Sequence, residues 1–79
     1  RLKVLSLSYT KVSGKGLSRL RSLTTLEVLR LNSTLVDDNG VQHVQRLSNL
    51  RELWLQGNEI SRPALVELTK WLSDCQIMR

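Results

Sequence analysis

The chain has 79 residues with 12 Lys and Arg against 7 Asp and Glu, a formal charge of +5, so it fits one small domain and not two. A single cysteine, Cys75, excludes an internal disulfide and, beside one histidine, a closed zinc site; it also favours a reducing, intracellular compartment. No apolar run reaches membrane-spanning length, no signal-peptide pattern is visible, and no cofactor motif occurs.

The first predicted element lies in LKVLSLSYTKV (2–12). Leu5 and Leu7 alternate as a short strand does, sending both side chains to one face. The alternation stops at a small polar run and resumes inward at Val12. Ser13 is placed to cap a short return helix, along which Leu17, Leu20 and Leu23 point inward. The second stretch, LEVLRLNSTLV (26–36), and the third, LRELWLQGNEI (50–60), repeat the first at intervals of 24 residues. Each reads L-x-x-L-x-L-x-x-(T/N)-x-(V/I). Their return segments place Val41, Val44 and Leu47, then Leu65, Leu68 and Trp71, at the positions of Leu17, Leu20 and Leu23. Asp37 and Ser61 take the capping position of Ser13, and Pro63 falls in the first turn of the third helix, where a missing N–H is tolerated. A fourth, partial copy puts Ile77 at the position of Leu5, Leu29 and Leu53, so CQIMR is expected to form a last strand.

This period and leucine spacing mark a repeat in which each unit is one coil. Six leucines (5, 7, 29, 31, 53 and 55) should form stacked, buried rows. The polar run lets each coil turn back. Thr34 points inward with its hydroxyl on unpaired backbone groups, Thr10 matches it, and Asn58 can both donate and accept there. Gly16 and Gly40 share one position, implying a tight approach of helix to strand layer. Repeats are read as 1–25, 26–49 and 50–73, with a C-terminal cap at 71–79 built on Trp71, Leu72 and Ile77. Trp71 is assigned to the core. The N-terminal coil has no such cover, so further repeats or a partner chain should lie against it. The chain opens on Arg1 and is read as part of a longer array.

The repeats resemble those of leucine-rich repeat proteins over nearly the whole chain. SYTKVSGKGL and NSTLVDDNGV are similar to the x-x-T-x-V-(T/S)-D-x-G-(L/V) repeats frequent in planctomycete bacteria and kinetoplastid protozoa. PALVELTKWLSDCQI is similar to the terminal helix and strand that close such proteins. The resemblance implies an α/β fold, a curved solenoid with parallel strands on the concave face and short helices on the convex face. It also implies the family's usual role in protein–protein interaction.

Few residues suggest chemistry. Asp37-Asp38 reads as a helix cap, not a catalytic pair; His43 reads as a solvated surface histidine, and Cys75 as a structural thiol. No nucleophile motif or phosphate-binding glycine loop is present, and no catalytic or metal-binding residue is assigned. Strand alternation does define an exposed concave face, in columns Val4–Val28–Glu52, Ser6–Arg30–Trp54 and Ser8–Asn32–Gln56, with Tyr9, Ser33 and Gly57 at its margin. Trp54 beside Arg30 has the composition of an interface hot spot. The partner-binding set is therefore Trp54, Arg30, Val4, Val28, Ser6, Glu52, Asn32 and Gln56, with a protein as partner and no membrane. Six of the basic residues precede Glu27, the first acidic one. They raise an alternative, docking on RNA or on an acidic partner through Lys11, Lys15, Arg19 and Arg21. Arg1 and Lys3 belong to the same set but fall on the strand, so the charge is spread around the coil and does not line one groove.

Overall fold

A computed structural model describes residues 2–79 and places a three-residue strand at each of the four predicted sites. These are β1 (Val4–Ser6), β2 (Val28–Arg30), β3 (Glu52–Trp54) and β4 (Gln76–Met78), ordered β1-β2-β3-β4 in one parallel sheet. The register follows the repeat: Leu5 pairs with Leu29, Leu29 with Leu53, and Leu53 with Ile77. Parallel neighbours need a crossover, and each return segment supplies one. The first two are α1 (Gly14–Leu17) and α2 (Asp38–Val41), each followed by a 3₁₀ segment, Ser18–Ser22 and Gln42–Arg46. The third is a single ten-residue helix, α3 (Arg62–Trp71).

The core is the space between strands and helices. Leu26, Leu29, Leu31, Leu53 and Leu55 are fully buried there, with Val41, Val44, Leu47 and Leu68 closing from the helical side. Leu5 and Leu7, expected to be buried like their repeat mates, are only half-buried. They belong to the first coil, with one neighbour instead of two. Beside them Leu2 and Val4 are exposed, Val4 at 51%.

Trp71 departs from its expected core position: it is 38% exposed, while Leu72 is buried. The cause is helical pitch. In a 3₁₀ segment residues three apart eclipse, so Leu17, Leu20 and Leu23 stay on one face. Helix α3 remains α-helical, and at 3.6 residues per turn the same spacing drifts by about 60° per step. By Trp71 the row has rotated off the core, and Leu72 takes the place.

The polar turns close each coil as anticipated. Thr34 Oγ1 donates to the Leu31 carbonyl at 3.0 Å and accepts from the Val36 N–H at 3.3 Å; Thr10 makes the equivalent pair with Leu7 and Val12. Asn58 bridges two coils, accepting from the Thr34 N–H at 2.8 Å and donating to the Leu31 and Leu55 carbonyls. All three predicted N-caps stand at helix starts, but only Asp37 and Ser61 use their side chains, on the Gly40 and Ala64 N–H groups. Tyr9, Ser33 and Gly57, at one repeat position, all have positive φ (64°, 53° and 80°).

The tight approach foreseen at Gly16 and Gly40 is not helix against strand. A Cβ on Gly40 would lie 2.9 Å from the Gly14 Cα, and one on Gly16 would meet Val12 of its own coil. The first two coils therefore touch backbone to backbone along the helical side.

Candidate functional site

The concave columns form as the alternation requires. Arg30 of β2 and Trp54 of β3 are paired in register, and the Arg30 guanidinium carbon lies 5.6 Å from the centre of the Trp54 ring, within cation–π range. The indole N–H donates to Glu52 Oε1 at 3.0 Å. That bond fixes the ring and satisfies its one polar group, leaving a half-buried aromatic plane between Arg30 and Met78, the residue paired with Trp54 on β4. Val28 and Glu52 are half-exposed beside them, and Val4 and Ser6 are open to solvent.

The third column has a second duty that the sequence reading missed. Ser8 Oγ accepts from the Asn32 N–H at 3.0 Å, and Asn32 Oδ1 accepts from the Gln56 N–H at 2.9 Å. The oxygens of Ser8 and Asn32 are thus committed to the backbone of the next coil; the exposed Gln56 side chain remains available. Recurrence of a polar residue at one repeat position was the signal. Tyr9, at the margin, is 80% exposed.

The basic set is not gathered. Lys11 sits in the first turn, Lys15 on α1, and Arg19 and Arg21 on the 3₁₀ segment behind it; Arg1 lies outside the described residues. Lys3 is 3.8 Å from Glu27, which also faces Arg51 at 3.9 Å. Arg21 lines a shallow convex hollow shared with His43 and Arg46, and Lys15 lines another with Asp37 and His43. His43 is half-buried there, less open than a freely solvated side chain.

The groups weighed for chemistry are occupied structurally. Asp37 caps α2 through the Gly40 N–H at 3.0 Å. Asp38 accepts from the Ser61 N–H at 2.8 Å, and Ser61, through its hydroxyl and its backbone, holds that carboxyl below the usual carboxylate range. Burial, with the Glu52 charge nearby, pushes the Cys75 thiol up to about 11, so it stays protonated and a poor nucleophile near neutral pH. Among the described residues no three His, Cys, Asp or Glu side chains gather where an ion could be held. No helix there is long and apolar enough to cross a membrane.

Comparison with known families agrees with the architecture. Residues 49–71 match the family model described as Leucine Rich Repeat, and residues 2–20 match a second, described as Leucine Rich repeat. The two segments together span more than half of the chain. No curated protein matches it. Domains of this kind generally mediate protein–protein interaction and are generally non-catalytic scaffolds. Four in-register parallel strands, a leucine core recurring every coil, and both family matches lead to one conclusion: the chain belongs to the leucine-rich repeat family.

Proposed function

We propose that this chain is a non-catalytic scaffold that binds a protein through its concave strand face, with Trp54 and Arg30 at the centre of contact. The observation that carries the reading is the fixed Arg30–Trp54 pair. An indole whose N–H is already bonded to Glu52 offers its apolar plane to a partner at little entropic cost. Arg30, held over the ring at 5.6 Å, keeps donors for a carboxylate or carbonyl. Ser6 and Gln56 supply a polar rim, and Val4 and Val28 extend the apolar strip along the strands. The alternative, docking on RNA, is the less favoured. Its candidate residues Lys11, Lys15, Arg19 and Arg21 occupy turn, helix and 3₁₀ segment, and Tyr9 alone offers the first repeat a stacking surface.

A photo-crosslinking amino acid placed at Ser6 or Gln56, compared with one at Gln45 on the convex side, separates the readings. Protein adducts should form from the concave positions and survive nuclease treatment. Adducts only from Gln45, or adducts lost with nuclease, would reject the proposal.

A further inference from the structure

The convex side carries a second recognition surface, between α2 and α3. A groove of about 230 Å³ lies there, with Asp38 and Val41 on one wall and Pro63, Ala64, Glu67 and Trp71 on the other. Both walls come from consecutive coils of this chain, and neither is an end face of the stack. Ala64, Glu67 and Trp71, spaced by three and four, share the face of α3 that is turned to α2. The helical pitch that takes Trp71 off the core leaves its indole 38% exposed in this groove. Buried Val41 and half-buried Ala64 make the groove apolar beneath it.

The rims are acidic. Asp38 is fixed by the Ser61 N–H at 2.8 Å, and its bonds to Ser61 hold the carboxyl below the usual carboxylate range. Glu67 faces Lys70 at 3.7 Å, but both side chains are more than half exposed, and so open a pair contributes little and exchanges readily. Among the described residues no Lys or Arg lines the groove. The chain carries +5 overall, so a cation is drawn to this groove against the charge of the molecule at large. An anionic partner would meet both carboxylates and is disfavoured.

The chain already satisfies one such group of residues internally. On the concave face Trp54 stands with Glu52 on its N–H and Arg30 over its ring. The convex groove repeats the indole and the carboxylates, and no cation lies over the Trp71 ring among the described residues. We infer that the groove between α2 and α3 takes up an arginine side chain of a protein partner. Its guanidinium stacks on Trp71 and donates to the carboxylates of Glu67 and Asp38, and its methylene stem covers the apolar floor of Val41 and Ala64. Planarity favours arginine over lysine, since one flat group can both stack and form a forked pair. This surface is on the opposite side of the sheet from the concave face and does not rest on the role given to Trp54.

The probe is the pentapeptide acetyl-GARAG-amide, titrated into the isotope-labelled chain and followed by NMR of backbone amides and indole N–H groups. Shifts should centre on the Trp71 indole and on the amides of α2 and α3. The same peptide with citrulline in place of arginine, equal in shape and uncharged, should bind more weakly. Trp71→Ala, at an exposed position, should weaken binding about threefold or more, and Glu67→Lys should abolish it. Asp38→Asn, which keeps an acceptor for Ser61, should weaken it while preserving the fold, and Trp54→Ala should leave it unchanged. Absence of binding at millimolar peptide, equal affinity for the citrulline peptide, or shifts centred on Glu52 and Trp54 would overturn the inference.

Discussion

Among the described residues, Asn58 has the densest set of side-chain hydrogen bonds. Its Oδ1 accepts from the Thr34 N–H and Oγ1, and its Nδ2 donates to the Leu31 and Leu55 carbonyls. Asn58→Ala would leave the part-buried Thr34 N–H without a partner and would reduce the Leu31 and Leu55 carbonyls to the bonds from Thr34 Oγ1 and the residue 58 N–H, at about 1–3 kcal/mol for a group left unpaired where water cannot reach. Thr10, in the same repeat position, is exposed and serves only its own coil. Chemical denaturation should therefore show a loss of about 2 kcal/mol or more for Asn58→Ala and less than about 1 kcal/mol for Thr10→Ala. Equal losses would mean that the bridge between coils adds nothing. Gly57, next to Asn58, has φ of 80°, and a Cβ there would collide with the Ser33 hydroxyl, so the turn is fixed by two adjacent residues for different reasons.

At the scale of elements, the strands were legible and the return segments only partly so. Strand position follows from a two-residue alternation repeated every 24 residues, and the observed register keeps it without a slip. The inward spacing of three on the helical side did not reveal its pitch, since 3₁₀ and α-helix both accommodate one such step and diverge at the second. Trp71 is where they diverge. Leu72→Ala should cost about 2–5 kcal/mol, as for a buried leucine, and Trp71→Ala less than about 1 kcal/mol, both read from thermal melts. The opposite ranking would restore Trp71 to the core. The concave columns were legible for the same reason as the strands. The backbone bonds of Ser8 and Asn32 were not, because alternation gives the face of a side chain and not its partner.

Across the whole molecule, each coil packs only on its neighbours, so burial is deepest in the middle coils and lowest at the two ends. Leu29 and Leu53 are fully buried, whereas Leu5 and Ile77, their counterparts at the ends, are half-buried. The concave face lies across this gradient, and its central pair sits on the two inner strands, where the backbone is held from both sides. That placement lets a surface substitution be judged separately from the fold. The most direct test is the affinity of Trp54→Ala for a protein crosslinked to the concave face, measured by calorimetry alongside the melting temperature. The expected result is a loss of about 2 kcal/mol or more in binding, roughly thirtyfold in Kd, with the melting temperature nearly unchanged. Undiminished affinity together with a lowered melting temperature would contradict it, and would make Trp54 a packing residue of the last coils.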